Sequence, residues 1–279
     1  MSRKKTVLPS HMKRAIERLE ELSGTVDLLV EVIDSRAPES TRCRFVSKLI
    51  PGCRTVTVFT KSDIADDSVT EKWIEHFNES GEPAVIFPKE KHGEREKFLN
   101  RIIRAAGQGD PERGTRAAVI GLPNIGKSTT INFITGKRGA KVGARPGITR
   151  GLQLIKVRSD FLLLDTPGLV SPRIAQREEN INLALVGCLQ ESFFDHEEAA
   201  VQLLEKSLSK YAEIYREFYG IDEATEDPME LFEAVAKRRG FLRKGGVLDL
   251  DRVYPLLIRD FSTGRISGIS LESPEDFYD

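Results

Sequence analysis

Nine residues, GLPNIGKST from Gly121 to Thr129, fit the spacing G-x-x-x-x-G-K-[ST] directly after the apolar, β-branched run at 117–120. Glycines at 121 and 126 let backbone N–H groups curl around phosphate oxygens. Lys127 then brings an ammonium to the β- and γ-phosphates, and the Ser128 hydroxyl is a ligand for Mg²⁺. Asn124, Ile125 and Thr129 complete the stretch that would touch the nucleotide. The alternative is a chance glycine turn at a helix start. That reading does not need a strand before the turn and a helix after it, and the sequence supplies both.

Three further motifs fit the same chemistry. DTPGL, residues 165–169, ends the apolar run 161–164, which would deliver Asp165 to Mg²⁺ and the Gly168 N–H to the γ-phosphate. Alone, D-x-P-G is an ordinary surface turn; downstream of a phosphate loop it is a metal-binding strand end. GARPGITR, residues 143–150, is basic and glycine-rich, and places Thr149 to bind Mg²⁺ only when a γ-phosphate is present. TKSD, residues 60–63, fits the guanine-reading N-K-x-D pattern with threonine first. Asp63 would accept from guanine N1–H and the 2-amino group while the Lys61 stem lies along the base. TKSD can also be read as a loop whose Asp63 caps a helix.

The elements needed to position these residues are legible. Strand-like runs at 26–33, 55–59, 84–87, 117–120, 152–157 and 161–164 alternate with helix-period stretches at 70–79 and 94–105. This is an α/β texture with a mainly parallel sheet. The three residues 158–160 are too short for a crossover, so the last two strands form an antiparallel hairpin and the sheet is mixed. After Pro172 helical spacing takes over at 180–190, 197–219 and 229–238, with Gly220 and Pro228 as breaks. Two domains are expected, 1–172 and 173–279. The base reader precedes the phosphate loop, the reverse of the usual order. Termini opened at one surface connection and joined at another produce that order without disturbing the sheet. The fold class is therefore a circularly permuted P-loop GTPase domain followed by a mainly helical C-terminal domain.

Composition sets the remaining bounds. The chain has 279 residues, 39% hydrophobic and 30% charged, with a net charge of -1. It holds no apolar run of the ~20 residues a membrane span needs, and its basic start leads into no apolar signal region, so no membrane partner and a cytoplasmic location are expected. Three cysteines without metal-ligand spacing read as reduced thiols. Basic runs at the N-terminus, 137–158 and 237–244 keep an RNA partner open. In KRRGFLRKGG, Lys237, Arg238, Arg239, Arg243 and Lys244 surround Phe241 and Leu242. These residues suit phosphate contact with a stacking aromatic, or a basic helix C-terminus with Phe241 in the core.

LPSHMKRA near the start, LLVEVIDSRAP, TKSD, GLPNIGKST, ARPGITR, DTPGL, KRRGFLRKGGVLDLDR and LIRDF together resemble the YlqF-type permuted GTPases, the ribosome biogenesis GTPase A family, from end to end. The resemblance implies hydrolysis of GTP to GDP and phosphate, coupled to late maturation of the large ribosomal subunit, with rRNA and ribosomal proteins as partners. A monomer is expected. It implies a K⁺ site at Asn124, which is otherwise a loop-turn residue, and stimulation of turnover by K⁺ and by the particle. Leu169 stands where Ras-like enzymes orient water with glutamine, and it cannot hydrogen-bond. The family's P-G-H-M motif is matched by Pro9-Ser10-His11-Met12, which makes His11 the candidate to assist water attack, beside Lys127 and Thr149. Thr60 replaces the usual asparagine, and Pro88, which lacks an N–H, leaves Lys89 or a neighbour to read the guanine oxygen. The alternative function, kept open by Leu169, is a GTP-sensing RNA-binding scaffold with negligible hydrolysis.

Overall fold

The computed structural model describes residues 24, 26–44, 46, 50, 52–89, 92–107, 114–136, 140–142, 153–165 and 181–278. Among them, seven strands form one sheet in the order β3-β2-β1-β4-β7-β6-β5. They are β1 Leu28–Asp34, β2 Arg54–Thr60, β3 Ala84–Ile86, β4 Thr115–Gly121, β5 Ala140–Val142, β6 Gln153–Arg158 and β7 Phe161–Asp165. Every residue of β1 is buried, as expected of a central strand covered on both faces. β1 runs parallel to β4, β4 to β7 and β2 to β3. Backbone bonds from Arg54 N to Asp27 O at one end and from Ser35 N to Thr60 O at the other give β1 and β2 the same direction. β6 is antiparallel to both β7 and β5, so the sheet is mixed and mainly parallel as expected. The β6–β7 hairpin forms across 158–160 with a register shift between Lys156 and Arg158. Strand β5, which no β-branched run announced, was not expected.

By their contacts the described residues fall into two compact units. One comprises those within 1–33, 42–59 and 77–177; the other comprises 34–41, 60–76 and those within 178–279. In the first unit, helices α2 (Arg95–Ala106) and α3 (Lys127–Thr135) pack on the sheet. Phe87 after β3, Phe98 of α2 and Phe133 of α3 form an edge-to-face triad with ring centroids 5.1 to 5.6 Å apart.

The second unit contains α4 (Ile181–Leu185), α5 (His196–Tyr219), α6 (Pro228–Arg239) and α7 (Val253–Ser262). Asp195 caps α5 by accepting from Glu198 N, and Asp227 caps α6 ahead of Pro228. The expected break at Pro228 is therefore a helix start, where the missing N–H costs nothing. The expected helix at 180–190 is confined to α4, and α7 was not singled out at all. Helix α1 (Asp67–Glu79) carries Trp73, fully buried, whose Nε1 donates to the Glu272 carbonyl at 3.0 Å. Glu272, itself buried, accepts from Glu39 N, Ser40 N and Asn182 Nδ2, and burial pushes its carboxyl above the usual range against those bonds.

Candidate functional site

β4 delivers the chain into the phosphate loop. Gly121 sits at φ 152°, and a Cβ there would lie 2.6 Å from the Val32 carbonyl, so no other residue fits. Gly126 at φ 102° forms the N-cap of α3, and no side chain caps that helix. The first N–H groups of α3 and its dipole therefore face the loop. Asn124 adopts φ 57°, in the left-handed region that asparagine tolerates better than most side chains. The half-buried Lys127 donates from Nζ to the Leu122 carbonyl, which lays its ammonium across the loop. Ile125 is fully buried, whereas Ser128 and Thr129 are exposed on the first turn of α3. A glycine cradle that a Cβ would fill, an uncapped helix N-terminus and an ammonium together suit a di- or triphosphate. The Ser128 hydroxyl suits the hard-oxygen coordination of Mg²⁺.

β7, the parallel neighbour of β4, ends at Asp165, and its pairing of Leu164 with Ala118 puts that end on the same carboxyl side of the sheet as Gly121. The Asp165 side chain, and His11, Thr149 and Gly168 entirely, lie outside the described residues. Lys89 is described and exposed, two residues after Phe87, whose N–H bonds the Phe59 carbonyl.

The TKSD turn belongs to the second unit. Thr60 is buried, and Lys61 takes φ 58°, with Ile64 N closing the turn on the Lys61 carbonyl. Asp63 is exposed and does not cap a helix. Asp66 does that work, its Oδ1 accepting from Ser68 N at 2.9 Å and Val69 N at 3.2 Å. The capping alternative for Asp63 is thereby answered by a residue three positions on.

Two residues of the DSRAP stretch, quoted in the sequence but given no role, turn out to hold this turn. Asp34 is fully buried at the end of β1. It receives Arg36 Nε at 3.0 Å and Arg36 Nη2 at 2.9 Å, and pairs with Lys61 Nζ at 2.8 Å. Burial alone would raise its carboxyl, but the Arg36 guanidinium and the Lys61 ammonium outweigh burial and hold it at about 2. An acidic residue closing a mostly apolar strand, with arginine two positions on, was the available signal.

The basic segment after α6 differs from its expected form. Arg243 is ion-paired with Asp249 and Asp251, and Arg252 lies 4.1 Å over the Phe241 ring, leaving Phe241 only half-exposed. Phe241 is thus not an open stacking platform; the exposed apolar side chains are Leu242 and Val247, either side of the Lys244-Gly245-Gly246 tip. Arg238, Arg239, Lys237 and Lys244 remain exposed. Among the described residues, no helix is long and apolar enough to cross a membrane.

Residues 116–233 match the family described as 50S ribosome-binding GTPase. Ribosome biogenesis GTPase A of Bacillus cereus is 35% identical over 277 residues, covering 96% of this chain and 94% of that protein. The protein of the same name from Thermotoga maritima is 34% identical over 268 residues, with 96% and 94% covered. Among solved structures, GNP-bound YlqF from T. maritima superposes with a TM-score of 0.65 at 30% identity, over 94% of this chain and 99% of that one. The GDP-bound structure of TM YlqF gives 0.67 at 30% identity, over 93% and 100%. Likeness at this level, sustained through nearly the whole of both chains, places this chain in the ribosome biogenesis GTPase A family.

Proposed function

We propose that this protein binds GTP and hydrolyses it to GDP and phosphate as a ribosome assembly factor, acting in late maturation of the large ribosomal subunit. The observation that carries the nucleotide reading is the Gly121 cradle with Lys127 laid across it. The assembly role rests on the family. In this reading the backbone from Asn124 to Thr129 binds the phosphates, and Lys127 balances β- and γ-phosphate charge through transfer. Ser128, Thr149 and Asp165 would hold Mg²⁺, which when bound neutralises charge on the β- and γ-oxygens; Asn124 would hold K⁺. Asp63 reads guanine, with the Lys61 stem beside the ring, the Thr60 hydroxyl in place of an amide and the Lys89 N–H for the guanine oxygen. Gly168 contributes its N–H to the γ-phosphate.

Leu169 cannot orient water, so that task passes to His11, and basal turnover is slow until the particle stimulates it. The chain divides functionally into the GTPase domain, 1–172, and the helical domain, 173–279, whose exposed Lys237, Arg238, Arg239 and Lys244 meet rRNA phosphates alongside ribosomal proteins. The protein acts as a cytoplasmic monomer. The test is GTP turnover with and without purified large subunits, in K⁺ and in Na⁺. Strong stimulation by the particle, greater in K⁺, is expected. Turnover that no particle or cation raises would favour the reading that Leu169 also supports, a GTP-sensing RNA-binding scaffold.

A further inference from the structure

The turn carrying Asp63 is fastened to the helical part of its own unit on both sides. Ahead of it, Lys61 Nζ reaches the Val186 carbonyl, just past α4, at 3.4 Å. Behind it, the Ile64 carbonyl accepts from Gly268 N at 2.9 Å, and Asp66 N donates to Ser270 Oγ at 3.1 Å. Tyr211 and Lys210 of α5 both reach Asp66 Oδ2 at 2.9 Å. Tyr211 is also where α5 departs from helical geometry, at φ -122° and ψ 22°.

The tightest fastening centres on Asp34. Its two oxygens have about four acceptor positions, and four donors fill them: Arg36 N and Nε on Oδ1, Arg36 Nη2 and Lys61 Nζ on Oδ2. Arg36, fully buried, places two further donors on the Phe261 carbonyl of α7 at 2.6 Å and the Val186 carbonyl at 3.4 Å, with its guanidinium 4.8 Å over the Phe261 ring. Lys61 stands at φ 58°, a left-handed conformation that costs a non-glycine residue about 1 kcal/mol and persists only where the surroundings impose it. Asp34 and Val186 are the surroundings that hold its ammonium.

We propose that Asp34 is a positioning residue for guanine recognition, tying Lys61 of the base-reading turn to the Val186 carbonyl so that guanine occupancy and the packing of the α4 end of the helical bundle are thermodynamically coupled. This rests on the reading of Asp63 as the guanine acceptor. Coupling of this kind is reciprocal: whatever shifts Val186 alters guanine affinity, and guanine restrains Val186 by the same factor. A conformational report on the bound base is thus available to the helices without passing through the phosphate loop.

Two measurements test it. In a double-mutant cycle read by fluorescent GDP titration, Asp34→Asn and Lys61→Met should each weaken binding roughly tenfold, and the double variant should be no weaker than Lys61→Met alone. Additive losses overturn the proposal. In hydrogen exchange at saturating GDP, the amides of Val186, Gly187 and Cys188, which bond Asn182, Ala184 and Leu183 carbonyls, should slow in the wild type and not in Lys61→Met. Equal slowing in both, or none in the wild type, overturns it, and this pair decides alone if Asp34→Asn does not fold. Failure of the underlying site is separately visible. If Asp63→Asn gains no affinity for XTP, the base reading itself falls; if it does gain, additivity in the cycle removes only the coupling.

Discussion

Asp63 and Asp66 show how neighbouring carboxylates of one type part company. Asp66 has its oxygens occupied by two backbone N–H groups, a tyrosine and a lysine, and it starts a helix. Asp63 faces outward with no helix to cap. In the proposed reading an outward carboxylate in this turn accepts from the paired N1–H and 2-amino donors of guanine, which adenine does not offer. Asp63→Asn places an amide N–H against one of those donors, whereas the 2-oxo group of xanthine accepts it. The variant should lose GTP affinity and gain XTP affinity in a competition titration, reversing the preference. An unchanged preference for GTP would remove TKSD from the base site. At this scale the phosphate loop and the turn were legible because each is a contiguous motif whose chemistry is local. Asp34 and Arg36 were not, because what gives them meaning is Val186 and Phe261, 150 and 225 residues from Arg36 along the chain.

Helix α1 follows the TKSD turn directly. Its N-terminus depends on Asp66, and its interior is fixed by Trp73, the single tryptophan of the chain, fully buried with its indole N–H on the Glu272 carbonyl. Asp66→Ala removes the cap and leaves Tyr211 and Lys210 without their shared acceptor. A loss of about 1 to 2 kcal/mol at neutral pH is expected, read by urea unfolding followed through Trp73 fluorescence. The sign of its pH dependence follows from the folded state. Burial disfavours the Asp66 carboxylate, but the bonds from Lys210, Ser68, Tyr211 and Val69 N outweigh burial and hold its pKa below the ordinary 3.8. A depressed carboxylate contributes stability that is present above its unfolded value and is lost as pH falls toward the folded one. The gap between wild type and Asp66→Ala should therefore be constant from neutral pH to about 4 and close below it; a gap that persists in acid would mean the carboxylate charge is not what holds α1. Elements were legible where periodicity ran long, as in α5, or where β-branched residues clustered, as in β1. Three-residue β5 has no length over which to show a period, and it is a strand because β6 offers it an edge.

Taken whole, the chain does not sort its contacts by order along the sequence. Residues 34–41 and 60–76, interleaved with the strands of the first unit, count by contact with the helices of 178–279. The permutation legible in the motif order is thus accompanied by an organisation that the motif order does not reveal. A ligand that binds the folded chain and not the unfolded one stabilises it in proportion to the logarithm of its concentration, by about 2.7 kcal/mol at a hundred times Kd. For a chain of this size that is a rise in melting temperature on the order of 5 °C. GDP in such excess should produce this rise in the wild type. Lys127→Ala should abolish it at the same GDP concentration, because the substitution deletes the ammonium laid across the phosphate loop while the Gly121 cradle and α3 keep their backbone. The melting temperature without nucleotide should barely move, since Lys127 is half-buried and its ammonium sits on a carbonyl of the phosphate loop itself. A GDP-induced rise that survived Lys127→Ala would put the phosphates somewhere other than the loop between β4 and α3. A fall in melting temperature without nucleotide would instead make Lys127 part of the scaffold, and the loss of the GDP effect would then say nothing about phosphate binding. Circular dichroism at 222 nm follows the helices of the whole chain, and Trp73 fluorescence follows the packing of α1 against the segment around Glu272 and Phe277, so melts read by both show whether a fall is global or confined to that contact.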